Sequence, residues 1–323
     1  MGQGLDQAEL HPLDGRLTRS AHQASPCYIP GMAASSLTSP PRGTDAQLDR
    51  LRDILGDMGS AIVCFSGGVD SAFVLAVAHE VLGERAIGLT AVSPSLAPEE
   101  KDLAIEVARQ IGARHELVVS HELDLESYAA NNPDRCFHCK SELYRLCAEK
   151  QAEWSVARVV NGTNQDDLGD YRPGLDAARE RGVRSPLLEA GLHKTDVRRL
   201  AAMLGLRVWD RPAAACLSSR LPYGTRVTPE RLAQVAALEE DLHRMGLGQV
   251  RVRWHGLGGE AADGGAMARI EVGQAELARA FELREAVVSA GKRHGYAYVT
   301  LDLQGYRVGS HNEVLRGRRL PVL

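Results

Sequence analysis

The sequence has no long hydrophobic run, no excess of basic charge and few cysteines, and each absence excludes a class of protein. No stretch of about 18 consecutive apolar residues occurs, so we expect no membrane-spanning helix. The formal net charge of −4 gives no overall attraction to nucleic acid or to an anionic membrane. Six cysteines in 323 residues are too few for the disulfide framework of a small secreted domain.

Residues 1–43 read as a disordered leader, because serine, proline, glycine and alanine dominate them. This segment lacks the charged start and the continuous apolar core of a secretory signal, so we expect a cytoplasmic protein. Met32 is an alternative start of the chain. We assign the leader no function.

From residue 44 to residue 210, predicted strands alternate with predicted helices. Such alternation is typical of an α/β domain, in which helices cover both faces of a parallel sheet. The predicted strands are residues 61–65, 86–93, 114–120 and 157–164. After residue 210 the composition changes: an amphipathic helix, residues 229–246, precedes three short strands, residues 249–255, 268–272 and 296–303. We therefore predict a smaller α+β domain over residues 211–323.

The motif SGGVDS, residues 66–71, joins the first predicted strand to a helix and is here called the glycine loop. Gly67 and Gly68 let backbone N–H groups point inward, which makes a nest for phosphate oxygens. We expect Ser71 to cap the helix and Asp70 to carry Mg²⁺ beside those phosphates. The loop lacks the lysine of a Walker A motif, which disfavours hydrolases of that class. The simpler alternative is a strand-to-helix turn that needs glycines.

Cys136 and Cys139 are three residues apart, so both thiolates can reach one metal centre. Two alternatives stay open for this pair. His138 lies between the cysteines, but a structural zinc site needs four ligands and no second CxxC pair exists. A CxxC pair also suits thiol exchange. For Cys64 and Cys147 we expect packing in the core.

The glycine loop after a hydrophobic strand resembles the PP-loop of the N-type ATP pyrophosphatases. That resemblance implies cleavage of ATP between the α and β phosphates, adenylation of a substrate oxygen and release of pyrophosphate. Further stretches over about residues 45–312 resemble the LarE family of ATP-dependent sulfur transferases. They are "NPDRCFHCKSELY", "NGTNQDDLGDYRPGL", "SPLLEAGLHKTDVRRLA", "CLSSRLPYGTRVT" and "VTLDLQGYRVGSHN". LarE proteins convert the carboxylates of a pyridinium mononucleotide into thiocarboxylates for the nickel-pincer nucleotide.

The resemblance also implies a sulfur source. In one branch of the family a cysteine just before the "SSR" block gives up its own sulfur and becomes dehydroalanine. The matching position here is Ala215, with Cys216 one residue further on. The chain instead matches the branch in which three cysteines, here Cys136, Cys139 and Cys216, bind a [4Fe–4S] cluster. One iron then stays open to carry a sulfide supplied by an external donor.

Residues of the C-terminal half complete the predicted site. Arg251 and Arg253 alternate on one strand face, which suits a phosphate clamp, and the resemblance favours this over a solvated face. The resemblance gives acid, base or substrate-contact roles to Ser219, Arg220, Glu239, Glu271 and Asp302. Near the nucleotide we expect Asp166, Asp167, Asp170 and Tyr171, with no role assigned. The family also implies a homo-oligomer.

Two other functions compete with this one. A PP-loop tRNA thiolase would need an RNA-binding surface, and the chain is net acidic with no appended basic domain. A non-catalytic nucleotide sensor would keep the glycine loop and need no sulfur donor. We therefore predict a sulfurtransferase that uses ATP, Mg²⁺ and a [4Fe–4S] cluster and has no nucleic-acid or membrane partner.

Overall fold

The computed structural model describes residues 45–169, 173–258 and 265–307. The predicted leader, Asp170 and Tyr171 lie outside these residues. The hypotheses about them stay predictions.

The first sheet has four parallel strands in the order β3-β2-β1-β4. Its strands are β1 (Ala61–Cys64), β2 (Ala86–Val92), β3 (Arg114–Val119) and β4 (Arg158–Val160). Around it lie α1 (Ala46–Gly56), α2 (Val69–Leu82), α3 (Pro98–Ile111), α4 (Glu126–Ala129), α5 (Arg135–Glu153), α6 (Pro173–Glu180), α7 (Pro186–Glu189) and α8 (Lys194–Met203). The α/β prediction for this half is confirmed.

Helix α2 is the centre of the largest hydrophobic core. It is apolar on nearly all sides, with Phe73, Val74 and Leu75 fully buried. A helix that is apolar all round must be covered on every side. Helices α1, α3 and α8 and strand β2 supply that cover. This packing fixes the start of α2 at the carboxyl edge of the sheet, where β1 ends.

The order of the strands also indicates where a ligand can bind. The chain runs from β1 outward to β2 and β3, and then returns to the other side of β1 as β4. In parallel sheets the crevice at such a reversal, beyond the carboxyl ends of the strands, is the usual ligand site. The glycine loop begins one residue after Phe65 and lies at this reversal.

The C-terminal half builds a second sheet of three strands in the order β5-β6-β7. Strands β5 (Val250–Gly256) and β6 (Ala266–Val272) are antiparallel, and β7 (Tyr296–Leu301) runs parallel to β6. Three helices accompany this sheet, namely α9 (Pro229–Arg244), α10 (Leu277–Glu282) and α11 (Arg284–Arg293). The smaller α+β region is confirmed, while a domain boundary at residue 210 stays a prediction.

No helix in the described part of the chain has the length and apolar character needed to cross a membrane. Cys64 and Cys147 contact one another beneath the first sheet, with their Sγ atoms 3.7 Å apart. Cys147 is fully buried and Cys64 is half-buried, which confirms their predicted place in the core.

Candidate functional site

The glycine loop turns sharply before α2 begins. Gly67 has a φ of +75°, a left-handed value that suits glycine, and an added Cβ would lie 2.9 Å from the Cα of Ala104 in α3. Helix α2 starts immediately afterwards at Val69, with Gly68 as its N-cap. The N–H groups of its first turn have no intrahelical acceptor, and they face the same edge of the sheet. This arrangement can bind phosphate oxygens.

The prediction that Ser71 caps α2 is wrong. Because the turn at Gly67 is so tight, the helix begins two residues earlier and Ser71 lies inside its first turn. Its hydroxyl donates to the carbonyl of Gly68 at 3.1 Å and accepts from the N–H of Ser66 at 3.2 Å. Ser71 therefore fixes the shape of the loop and leaves the helix N–H groups available.

Asp70 is held by two residues that sequence reasoning did not connect with it. One carboxylate oxygen accepts from Nδ2 of Asn164 at 3.1 Å, and the other forms an ion pair with Nζ of Lys194. Lys194 is the first residue of α8 and lies 124 residues away in the chain. The structure thus brings a lysine to a loop whose own sequence has none. In the sequence, Lys194 was marked only by its place in the "HKTDVRRLA" stretch that resembles the LarE family.

Asp166 sets the position of Lys194. Its carboxylate accepts from Nδ1 of His193 and from the N–H of Lys194, both at 2.7 Å, and so caps the start of α8. The hydrogen bond to His193 lowers the pKa of Asp166 and raises the pKa of His193. Asp167 accepts from the N–H of Asn164 at 3.0 Å. Both aspartates thus shape the loop after β4.

In the C-terminal half, Arg220 and Glu239 form a buried bidentate pair. The guanidinium donates from Nε to Oε1 at 3.0 Å and from Nη2 to Oε2 at 2.9 Å. Its Nη1 donates to the carbonyls of Ala215 and Cys216 and to Oγ of Ser219. Arg220 therefore shapes the turn that presents Cys216 and Ser219.

A second pair connects this turn to the sheet. Arg253 donates to the carbonyl of Ser219 at 3.0 Å and to the buried carboxylate of Glu271 at 2.7 Å. Glu271 also pairs with Arg269 at 3.0 Å, and Arg269 pairs in turn with Asp302. Apart from Arg251, the C-terminal residues predicted for the site thus belong to one connected network. The sequence alone did not predict Arg269 as a site residue, because only the pairing of β5 with β6 places Arg269 opposite Arg253.

Arg251 differs from its neighbour Arg253. It is half-buried, and within the described ranges no carboxylate forms an ion pair with it. Its Nη1 donates to the carbonyl of Val250, and its guanidinium lies 5.4 Å from the ring centre of Tyr306. Partial burial and the positive charge of Arg220 lower the pKa of Arg251. An anionic ligand would remove this electrostatic cost.

The three predicted cysteine ligands lie in one electrostatic neighbourhood. Burial, and then the charges of Cys216, Glu122 and Cys136, raise the pKa of Cys139 to about 12, while Lys140 opposes the shift. Cys136 and Cys216 are exposed. Burial lowers the pKa of the Arg135 guanidinium, but the charges of Cys216 and Cys136 oppose burial, and the net shift of this pKa is upward. His138, the residue that zinc binding would use, is 3.3 Å from the carboxylate of Asp134. No group of three or more metal-ligating side chains in the described ranges is arranged to hold a metal ion.

Comparison with known proteins gives the relatives of this chain. Residues 58–136, which include the glycine loop, match the family model described as asparagine synthase. The chain is 43% identical to an uncharacterized protein of Synechocystis over 84% of this chain and 98% of that protein. It is 38% identical to the pyridinium-3,5-bisthiocarboxylic acid mononucleotide synthase of Lactiplantibacillus plantarum, over 82% of this chain and 94% of that enzyme. A tRNA-specific 2-thiouridylase of Rickettsia africae is 31% identical over 49% of this chain and 53% of that enzyme.

Proposed function

The chain belongs to the family of the pyridinium-3,5-bisthiocarboxylic acid mononucleotide synthase, the LarE family, and on that premise we propose that it performs the same sulfur transfer. Its substrate is then pyridinium-3,5-biscarboxylic acid mononucleotide, and its products are thiocarboxylates of that nucleotide. ATP supplies the activation, in keeping with the PP-loop character of residues 58–136.

The reaction has two half-reactions. In the first, a carboxylate oxygen of the substrate attacks the α-phosphorus of ATP, the bond to the β-phosphate oxygen breaks, and pyrophosphate leaves. In the second, a sulfur nucleophile attacks the carbonyl carbon of the resulting acyl adenylate. The bond to the adenylate oxygen breaks, AMP leaves with the electron pair, and a thiocarboxylate remains.

The glycine loop serves the first half-reaction. Its turn at Gly67 and the first-turn N–H groups of α2 support binding of the β and γ phosphates, which leave as pyrophosphate. Lys194 is close enough to add a positive charge at this place. We propose that binding of Mg²⁺ and ATP moves Lys194 from the carboxylate of Asp70 to a phosphate. Asp70 is then free to face the metal.

The arginines of the second sheet serve the recognition of the substrate. We propose that Arg251 binds the substrate phosphate and that Arg253, held between Ser219 and Glu271, lines the same site. Arg220 fixes the turn of Ser219 through its contacts with the backbone. Ser219, Glu239, Glu271 and Asp302 then act mainly by holding these guanidinium groups. Ser219 and Asp302 are half-buried and can touch the substrate, whereas Glu239 and Glu271 are buried.

The sulfur source is proposed to be a [4Fe–4S] cluster held by Cys136, Cys139 and Cys216. Three thiolate ligands would leave one iron of the cluster open, and two of the three thiols, Cys136 and Cys216, are exposed. When bound, the cluster would supply the sulfur that displaces AMP.

The compartment and assembly belong to the same proposal. Free cysteines, with no disulfide in the described part of the chain, are consistent with a reducing cytoplasm. A homo-oligomer is proposed from the family alone.

The observation that carries the proposed function is the 38% identity to the synthase over 82% of the chain, together with the start of α2 at the sheet edge. The test is release of pyrophosphate from ATP by anaerobically purified protein, with and without pyridinium-3,5-biscarboxylic acid mononucleotide. We expect release only with this substrate, and thiocarboxylate product when sulfide is added. Release stimulated by tRNA instead would favour a tRNA thiolase, to which the similarity covers only about half of each chain.

A further inference from the structure

The segment that follows Cys216 is attached to the first half of the molecule along its length. This docked segment, residues 217–227, begins with a hydrogen bond from the N–H of Leu217 to the carbonyl of Ser95 at 2.9 Å. Further along, the N–H of Gly224 donates to the carbonyl of Asn131 at 3.0 Å, and the N–H of Val227 donates to the carbonyl of Ala129 at 2.8 Å. The turn between α4 and α5 therefore forms the seat of this segment.

Asn131 is the centre of that seat. It is completely buried and has a φ of +57°, a strained value that asparagine tolerates better than most residues. Its Nδ2 donates to the carbonyl of Pro222 at 2.8 Å and to that of Thr225 at 2.9 Å. A carboxamide is one of the few side chains that can offer two N–H donors and one acceptor at a buried place.

Arg135 uses the remaining acceptor of Asn131 and continues the contact towards the cysteines. It lies one turn further along, donates to Oδ1 of Asn131, and donates to the carbonyl of Ser218 at 2.9 Å. Tyr128 adds a hydrogen bond of 2.6 Å between its hydroxyl and that of Ser218. Arg135 is adjacent to Cys136, and Ser218 is two residues from Cys216. One buried guanidinium thus spans the two separate parts of the chain that carry the three cysteines.

We propose that Asn131 and Arg135 are positioning residues that hold Cys216 beside Cys136 and Cys139. Cys216 lies on an exposed turn, and the CxxC pair lies at the start of α5. Their relative position depends on the contacts from α4–α5 to the docked segment. The inference rests on the proposed function only in assigning these cysteines to sulfur delivery. The arrangement itself is testable without any cofactor.

The test uses the full chain without metal, treated with the short bifunctional thiol reagent dibromobimane. Peptide mass spectrometry then quantifies the cross-link between the peptide carrying Cys216 and the peptide carrying Cys136 and Cys139. Arg135→Lys keeps the charge but loses the fork of donors, and Asn131→Asp keeps the shape but turns the two donors into an acceptor. We expect each variant to lose at least about tenfold of the cross-link yield, because charged or buried hydrogen bonds hold the segment in place.

Arg145→Lys is the matched control, since Arg145 lies on the same helix, is itself exposed, and pairs with Glu142 and Glu149 of that helix rather than with the docked segment. Its cross-link should equal that of the wild type. Thermal unfolding by circular dichroism must show that the variants fold, and ATP binding at the glycine loop should be retained.

Two results overturn the proposal: a wild type that gives no such cross-link, or folded Arg135→Lys and Asn131→Asp variants that match Arg145→Lys. Iron and sulfide counts after anaerobic reconstitution give a separate answer on the cluster. A wild type that cross-links but takes up no iron would refute the proposed sulfur source while leaving the positioning role in place.

Discussion

Arg251 and Arg253 are two residues apart on β5, yet their surroundings assign them different energetic roles. Arg253 is buried and pairs with Glu271, whereas Arg251 is half-buried and has no carboxylate partner in the described residues. We expect Arg251→Ala to weaken binding of the pyridinium mononucleotide about 10- to 100-fold without changing ATP affinity. Arg253→Ala should also lower the free energy of unfolding by about 1–3 kcal/mol, because a buried acceptor loses a donor.

Isothermal titration with each ligand and chemical denaturation of each variant measure these two effects. Arg279→Ala, an exposed arginine on α10, is the control for charge alone. Equal losses for ATP and for the mononucleotide would place Arg251 outside the substrate site.

Asp70 has two roles in the proposed function: its carboxylate would contact Mg²⁺, and it pairs with Nζ of Lys194. Asp70→Asn keeps the size of the side chain and removes its charge, so both the proposed Mg²⁺ contact and the ion pair with Lys194 are lost. The pair is partly exposed, and its loss should leave the fold intact. We expect pyrophosphate release to fall at least about tenfold, as measured with a coupled phosphate assay at saturating Mg²⁺. Asp176→Asn, which changes a surface pair on α6, should be neutral, and wild-type release by Asp70→Asn would refute the assigned role.

At the scale of elements, the turn from β1 to α2 contains two glycines with different constraints. Gly67 is held by its left-handed φ and by Ala104, so Gly67→Ala should cost more than about 1 kcal/mol of unfolding free energy. Gly68 has a φ of −72°, and an added Cβ would meet only Oγ of Ser66, at 3.5 Å. We expect Gly68→Val to fold normally and to lose ATP binding, because its side chain would occupy the phosphate position. A thermal melt and a nucleotide titration distinguish the two variants. Tight ATP binding by Gly68→Val would show that the phosphates do not bind at this loop.

Two successive hydrogen bonds, from His115 through Thr90 to the carbonyl of Phe65, connect the end of β1 to β2 and β3. This arrangement depends on pH because it contains a histidine. Thr90 donates to the carbonyl of Phe65 at 2.8 Å, so the hydroxyl accepts from Nε2 of His115, also at 2.8 Å. Burial lowers the pKa of His115 from its ordinary value of 6.5. The unfolded chain then takes up the proton first, and stability is lost as the pH falls from about 6.5 through the lower folded value. His115→Gln keeps a donor and should flatten this part of the stability–pH curve, measured by denaturant unfolding. If the slope of unfolding free energy against pH is unchanged in His115→Gln, other groups cause this loss of stability.

The elements were predictable from sequence because each is encoded locally, in runs of apolar residues and in glycines at turns. Contacts between distant residues were not. Lys194 meets Asp70 only because α8 packs on α2, and Asn131 meets the docked segment across some ninety residues. Ser71 was misplaced for a related reason: a cap residue preference is local, but the tight turn at Gly67 depends on Ala104 of α3. Resemblance identified the C-terminal arginines and carboxylates, yet only the fold shows which of them pair.

At the scale of the whole molecule, the proposed function assigns ATP chemistry and sulfur delivery to different parts of the chain. The glycine loop lies on the first sheet, while the docked segment joins the residues after Cys216 to the turn that precedes the CxxC pair. We therefore expect Cys136→Ala, Cys139→Ala and Cys216→Ala each to abolish thiocarboxylate formation while pyrophosphate release continues. Cys64→Ala and Cys147→Ala remove thiols of the core instead and should cost only packing energy.

The transferred sulfur has one of two origins: it is either a sulfide carried by a cluster or the sulfur atom of a protein cysteine. If the cysteines hold a sulfur carrier, no protein sulfur is consumed and the wild type should turn over repeatedly when sulfide is supplied. A sacrificial enzyme would stop after one event and lose the mass of H₂S from a cysteine, leaving dehydroalanine. Intact-protein and peptide mass spectrometry after turnover distinguish the two. Unchanged mass with several products per chain supports the carrier, and dehydroalanine at Cys216 would refute it, because that residue could then no longer serve as a ligand for the next cycle.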